Sequence, residues 1–261
     1  MNENAVRIDA CLGIPGLPQS ATGQATMFTG VNASEYMGRH CEGFPGPSLR
    51  ALIEKDNVFM RLTAAGKRCR FADAYMIDSI DDLRMRRFKS VTTVMSLTCP
   101  EVISTAEDML DNLALSHDIT RATLREKGHD VEIITPEAAA EHLIELVRSS
   151  DFTLFEYFQT DLSGHSCQYE QASETLRTLD RFIAAVEAHC VENGILMVIT
   201  SDHGNIEDLG TRGHTCNQVP LIAVGPGSQA MLADAKSLMD VLPGVLRIML
   251  PQGSEPPAPK I

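Results

Sequence analysis

The chain has 261 residues, enough for one large α/β domain or for a core with a small insertion. Its formal net charge of −13 argues against nucleic acid and anionic membranes as partners, because both require a basic face. A hydrophobic content of 44% is ample for a buried core, and no segment approaches the ~18 apolar residues of a membrane span.

The seven cysteines are scattered, odd in number and without CxxC spacing. This usage favours reduced thiols, and the first four residues, Met-Asn-Glu-Asn, do not resemble a signal peptide. The sequence therefore predicts a soluble cytoplasmic enzyme of the α/β class and does not indicate an oligomeric state.

Residues 1–75 are predicted to form the first part of the core. Its elements are a strand within 5–14, a helix that begins near Ser20, a helix over 49–65 capped by Ser48, and a strand over 68–75. Residues 76–130 lose this regular pattern and carry a cluster of basic residues, so we interpret them as an insertion or small cap.

Regular alternation returns over 131–250, the predicted second part of the core. Strands are expected at 131–135, 152–159, 195–200 and 219–224, and helices at 136–149, around 176–186, and at 234–249 with a kink at Pro243. Alternation of this kind predicts a mostly parallel sheet sandwiched by helices. The proline-rich residues 251–261 are predicted to form a loose tail.

Carboxylates and imidazoles follow two of these predicted strands. Asp161 and His165 lie four residues apart after one strand, Asp202 and His203 directly follow another, and His214 lies in the next loop. We expect these five residues to converge at the carboxyl edge of the sheet. Mixed Asp/His ligands suit Zn²⁺ or Mn²⁺, and five potential ligands favour two metal ions.

Ser20 lies in the segment Leu-Pro-Gln-Ser-Ala-Thr-Gly-Gln, a loop that runs into a predicted helix. At a helix N-terminus, free N–H groups and the helix dipole favour an anion, and a metal would activate the hydroxyl as a nucleophile. The alternative is that Ser20 only caps the helix.

Together these motifs resemble the alkaline phosphatase superfamily, and most closely the branch of cofactor-independent phosphoglycerate mutases and phosphopentomutases. The resemblance rests on Asp161-Leu-Ser-Gly-His165, Ser201-Asp-His-Gly-Asn205 and Gly213-His214-Thr, and covers roughly 11–50 and 131–250. The loop at Ser20 is similar to the nucleophile loop of the mutases, although it ends in Gly-Gln where theirs ends in Gly-His.

The resemblance implies an alkaline phosphatase-like fold and two divalent ions, Mn²⁺ or Zn²⁺. Asp161, His165 and His214 would hold one ion, and Ser20, Asp202 and His203 the other. Ser20 would attack phosphorus and form a phosphoserine. The implied function is a phosphoester hydrolase, phosphotransferase or phosphomutase that acts on a small phosphorylated metabolite.

Two departures from the mutase pattern shape our expectations. Residues 76–130 are too few for the large inserted domain of the mutases, so hydrolysis or transfer on another phosphoester is at least as well supported as phosphoglycerate mutation. No Asp-Gly precedes Ser20, and Asp9 is interpreted as structural. We therefore expect an N-terminal strand to be missing, one that would end in an Asp and complete the position of Ser20, Asp202 and His203.

Arg39, His40, Arg86 and Arg87 are candidates for binding a substrate phosphate, and a solvated charged face is the alternative for the last two. A catalytically silent protein that binds metal or phosphometabolites is the alternative function. A sulfatase-type hydrolase fits less well, because the Cys/Ser-x-Pro-x-Arg motif of that group is missing.

Overall fold

The structure, a computed structural model, describes residues 3–250, so the predicted tail at 251–261 lies outside the described residues. The strands are β1 (Ala5–Ile8), β2 (Cys69–Phe71), β3 (Ala74–Tyr75), β4 (Ser104–Thr105), β5 (Phe152–Leu154), β6 (Met197–Thr200) and β7 (Val219–Val224). The helices are α1 (Ser20–Thr29), α2 (Ala33–Met37), α3 (Pro47–Lys55), α4 (Val58–Ala64), α5 (Ile80–Met85), α6 (Val91–Thr98), α7 (Ala106–Leu110), α8 (Ala122–Glu126), α9 (Pro136–Ser149), α10 (Gln159–Ser166), α11 (Tyr169–Asn193), α12 (Ser228–Leu232) and α13 (Val241–Met249). Short 3-10 turns lie at Pro100–Val102 and Leu238–Asp240. None of the helices in this part of the chain has the length and apolar character needed to cross a membrane.

The predicted α/β class is confirmed, but the pairing of its strands is mixed. β1, β7 and β6 form one sheet in that order with antiparallel pairs, whereas β2–β5 and β3–β4 are parallel. β7 runs antiparallel to β6 because the connection between them, residues 201–218, contains no helix that could carry the chain back across the sheet for a parallel pair. The sheet below Asp202 and His203 is therefore antiparallel, not parallel as expected.

The helix expected over 49–65 is divided in two at Asp56 and Asn57. The Asn57 side chain is fully buried; its amide group donates to the carbonyl of Ile53, and its oxygen accepts from the N–H of Met60. Asn57 thus ends α3 and caps α4. Ser48 is not the N-cap of α3, because Pro47 already occupies the first turn.

Two further expectations are wrong. Residues 131–135 form no strand; Ile134 donates to the carbonyl of Thr120, and Thr135 caps α9, so this segment has no strand neighbour. Pro243 does not kink the last helix, because α13 begins only at Val241 and the proline lies in its first turn, where a missing N–H costs nothing.

Residues 76–130 contribute to three different parts of the interior. Leu115 and Ile119 belong to the apolar cluster that also contains buried residues of α9 and α11. Val91, Val94 and Met95 of α6 belong to the largest apolar cluster, together with residues of α1, α3 and α4. Met109 and Leu124 lie in a small separate cluster. The division of the chain at 76 and 130 stays a prediction, and α6 in particular is part of the main core.

Candidate metal and phosphate site

Ser20 is the first residue of α1, at the predicted place for a helix start. The preceding Gln19 is extended and makes no side-chain capping bond. The Oγ atom of Ser20 lies 2.9 Å from Nε2 of His203. Ser20 is thus in direct contact with one of the predicted ligands, 183 residues away in the sequence.

Asp161 and His165 follow β5 and lie on the short helix α10. Their spacing of four residues places them on one face of the helix, with 3.3 Å between Asp161 Oδ1 and His165 Nε2. Nδ1 of His165 lies 2.6 Å from the carbonyl oxygen of Arg212. An Nδ1–H that donates to this oxygen leaves Nε2 free to bind a metal ion.

His214 is oriented in the same way from the loop between β6 and β7. Its Nδ1 lies 2.7 Å from the carbonyl oxygen of Pro18, two residues before the predicted nucleophile. Its Nε2 lies 3.4 Å from Asp161 Oδ1, and its ring stacks on that of His203 at 3.6 Å between centroids. His203 and His214 are both buried.

Asp161 Oδ1 lies at the centre of these side chains. The Nε2 atoms of His165, His214 and His203 are 3.3, 3.4 and 3.9 Å from it. This oxygen is buried and makes no hydrogen bond among the described residues. Ligand atoms of Asp161, His165 and His214 all lie within 4.8 Å of one another. A buried carboxylate oxygen without a donor, ringed by imidazole nitrogens, fits a divalent cation.

Asp202 and His203 follow β6, and α1 packs closely against them. His203 Nε2 lies 3.7 Å from Asp202 Oδ1, and the Gln24 amide donates to Asp202 Oδ2 at 3.2 Å. Gly23 permits this approach, because a Cβ there would be 2.5 Å from the backbone oxygen of Asp202. The structure therefore brings together all six predicted ligands, from three separate segments.

We expect Gly23→Ala to destabilise the protein by about 1–3 kcal/mol, as overpacking of a buried contact does. In an exposed helix the same change would stabilise by about 1 kcal/mol, so the sign of the effect reports the contact with Asp202. The measurement is urea unfolding. Gly46→Ala is the control, because a Cβ there meets nothing within 4 Å, and a loss as large in this variant would contradict the explanation.

Burial and neighbouring charges shift the pKa values of the site residues in opposite directions. Burial favours a raised pKa for Asp161, but the three imidazoles outweigh it, and its pKa lies below the ordinary value. Burial raises the pKa of Asp202 and lowers that of His203. For His214 burial is outweighed by Asp161 and the Pro18 carbonyl, which raise its pKa. A neutral imidazole at His203 is the form that binds metal.

Sequence reasoning missed a second set of polar residues next to Asp202. Gln24 also donates to Glu156 Oε1 at 2.9 Å, and Thr92 donates to Glu156 Oε2 at 2.7 Å. The backbone N–H of Glu156 donates to the buried carboxylate of Asp73. The available signal was Glu156 itself, a charged residue within an apolar segment that precedes Asp161.

Asp9 and the candidates for substrate binding have other contacts. The Asp9 carboxylate accepts from the N–H groups of Cys11 and Leu12, which supports its structural interpretation. His40 lies between Ser34 Oγ and the carbonyl oxygen of Ile14. Arg86 donates to the carbonyl of Met76, and Arg87 lies over the Phe88 ring.

Arg39 is exposed, and so are Arg86 and Arg87. None of the contacts found for Arg39, His40, Arg86 and Arg87 within residues 3–250 is to the six predicted ligands. A role of these four residues in binding substrate stays a prediction.

Comparison with known proteins supports the resemblance found in the motifs. The chain is 30% identical over 161 residues to a 2,3-bisphosphoglycerate-independent phosphoglycerate mutase of Anaplasma phagocytophilum, a match that covers 58% of this chain and 31% of the relative. A mutase of the same name from Myxococcus xanthus is 32% identical over 113 residues, 40% of this chain and 22% of its own length. The chain thus spans about a third or less of the relatives it matches.

Solved structures agree on the fold. Alkaline phosphatase from the Antarctic bacterium TAB5 superposes with a TM-score of 0.59 at 14% identity, over 94% of this chain and 88% of that one. A cold-active alkaline phosphatase from a psychrophilic Shewanella species gives 0.58 at 11% identity, over 95% and 90%. The predicted alkaline phosphatase-like fold is confirmed. The family model of the Metalloenzyme superfamily matches residues 125–251, the part of the chain that carries the Asp161, Asp202 and His214 motifs.

Proposed function

We propose that this chain is a two-metal-dependent phosphoester hydrolase or phosphotransferase that acts through a phosphoserine at Ser20 on a small phosphorylated metabolite. The observation that carries the proposal is the position of Ser20 Oγ, 2.9 Å from His203 Nε2, beside the ring of imidazoles around Asp161. Because the chain matches only 31% of the length of the mutase, the proposal covers three reactions that share this phosphoserine chemistry: hydrolysis, transfer to another acceptor and phosphomutation.

Two ligand sets are proposed for the metal ions. Asp161, His165 and His214 would hold one ion, and Ser20, Asp202 and His203 the other. Each set mixes carboxylate or hydroxyl oxygens with imidazole nitrogen, which suits Mn²⁺ or Zn²⁺ better than the all-oxygen preference of Mg²⁺ and Ca²⁺. The carbonyl oxygens that face Nδ1 of His165 and His214 support this assignment, because they fix the tautomer that a ligand needs.

The bound ions would lower the pKa of the serine hydroxyl and neutralise charge on the transferring phosphoryl group. Ser20 Oγ would attack phosphorus in line, so that a P–Oγ bond forms while the bond from phosphorus to the leaving oxygen breaks. In the first turn of α1, the N–H groups of Thr22 and Gly23 donate to the carbonyls of Cys41 and Gln19, so the N–H groups of Ser20 and Ala21 would face the phosphoryl oxygens. Water, or a hydroxyl of an acceptor, would then take the phosphoryl group from Ser20 and restore the free serine.

The test is turnover of 4-nitrophenyl phosphate by chelator-treated protein to which Mn²⁺ or Zn²⁺ is returned. We expect metal-dependent release of 4-nitrophenol that disappears again with excess chelator. A protein that binds metal tightly but turns over neither this ester nor a panel of sugar and glycerate phosphates would instead be the catalytically silent alternative.

A cytoplasmic location remains a prediction.

A further inference from the structure

One amide group bridges two carboxylates behind the candidate metal site. Nε2 of Gln24 lies 2.9 Å from Glu156 Oε1 and 3.2 Å from Asp202 Oδ2. An amide NH₂ has two hydrogens, so it can donate one to each acceptor. Two hydrogen bonds to different acceptors hold the amide in place.

Glu156 is the fixed end of this bridge. Its Oε2 accepts from the Thr92 hydroxyl at 2.7 Å, and its backbone N–H donates to Asp73 Oδ2 at 2.9 Å. Thr92 and Asp73 are both buried, and Thr92 lies on α6 in the main core. Glu156 is therefore anchored from two sides before it meets Gln24.

Asp202 is the end that is positioned. With Oδ2 occupied by Gln24, the other oxygen, Oδ1, is the one that lies 3.7 Å from His203 Nε2 and faces the candidate site. The bridge also joins two parts of the chain that share no strand pairing within residues 3–250, since β5 pairs with β2 and β6 pairs with β7. Glu156 and Asp161 follow β5, whereas Asp202 and His203 follow β6.

We infer that Gln24 is a positioning residue, which orients Asp202 through the anchored Glu156 and so sets the affinity of the metal position formed by Ser20, Asp202 and His203. This inference rests on the proposed function for its two metal positions. Gln24 lies one turn of α1 beyond Ser20, so the same helix presents the nucleophile and orients a ligand of the ion that activates it. Residues that orient a metal ligand typically change metal affinity by about 10–100-fold.

The test is calorimetric titration of Mn²⁺ into chelator-treated protein, with Gln24→Met and Gln24→His compared with wild type. Met has the length of Gln but no donor, so we expect one of the two ions to bind about 10–100-fold more weakly and the other to be unchanged. His restores an N–H donor and should recover most of the lost affinity. Gln229→Met is the control, because Gln229 also donates to an oxygen, the carbonyl of Glu3, but on α12.

Wild-type affinity for both ions in Gln24→Met would overturn the inference, and so would an equal loss for both ions or a His variant as weak as Met. Turnover of a phosphoester by the wild type is measured separately. A protein that shows the selective loss but no turnover would keep the role of Gln24 and remove the proposed reaction, whereas turnover without the selective loss would remove only the role of Gln24.

Discussion

Ser20→Ala should reduce phosphoester turnover by about a thousandfold or more, because removal of a covalent nucleophile leaves only binding and electrostatic stabilisation to accelerate the reaction. Metal binding at Asp161, His165 and His214 should survive, since the hydroxyl contacts His203 and is not part of that set. The measurements are steady-state rates with Mn²⁺ and Mn²⁺ titration of the chelator-treated variant.

The covalent intermediate gives a second and more direct readout. Acid quenching of wild type during turnover, followed by peptide mass spectrometry, should find phosphate on the peptide that contains Ser20, and Ser20→Ala should lack it. Ser228→Ala is the matched control, because Ser228 also opens a helix, α12. A wild-type rate in Ser20→Ala would mean that a metal-activated water attacks phosphorus directly, and the proposed phosphoserine intermediate would be wrong.

The residues of the candidate site could be predicted because they carry a local signal. Asp202 and His203 end an apolar run, and Asp161 and His165 are spaced by four, so each pair is visible without any knowledge of its neighbours. Their convergence was predicted from a general property of α/β sheets, whose strands deliver side chains to one edge. In the structure β5 and β6 pair in different sheets, and the close packing of α1 and α10 against the loop after β6 brings the residues together. The helix α10 keeps Asp161 and His165 together, because residues four apart share a helix face.

The direction of the strands could not be predicted in the same way. A continuous apolar strand such as β6 is typical of a parallel sheet, but its partner β7 returns antiparallel after a loop without a helix. Whether residues 201–218 form a crossover or a tight return depends on the contacts that fold this loop. Thr215, Asn217 and the backbone N–H of Asn205 all donate to Glu207, which folds the loop on itself.

Gln24 and Glu156 show a different limit. They are 132 residues apart, and although Gln24 ends the segment that resembles a nucleophile loop, no spacing in the sequence links it to Glu156. Their contact exists only because α1 and the segment after β5 meet behind Asp202. The same holds for Asn57, whose buried side chain divides an otherwise continuous helical pattern through contacts in three dimensions.

Asp161→Asn should remove one of the two metal ions. The substitution keeps the shape of the side chain but removes its charge and replaces one oxygen with an amide group, while three imidazole Nε2 atoms remain within 3.9 Å of Oδ1. Because Asp161 would bind the ion itself, the loss of affinity should exceed the about 10–100-fold typical of residues that only orient a ligand. Titration with Mn²⁺ should then fall from two ions to one, and turnover should fall with it.

Thermal stability supplies a readout that does not depend on catalysis. An ion that binds only the folded protein adds about 2.7 kcal/mol at a free concentration a hundred times its Kd, so Mn²⁺ should raise the melting temperature of wild type clearly more than that of Asp161→Asn. Asp208→Asn is the control, since Asp208 lies in the same loop as His214 and the bond found for its carboxylate within residues 3–250 comes from the N–H of Gly210. Because both variants lose one negative charge, a general effect of charge on Mn²⁺ binding would weaken them alike. Equal behaviour of the two would place the metal ion elsewhere, whereas a selective loss in Asp161→Asn would place it among the imidazoles of His165 and His214.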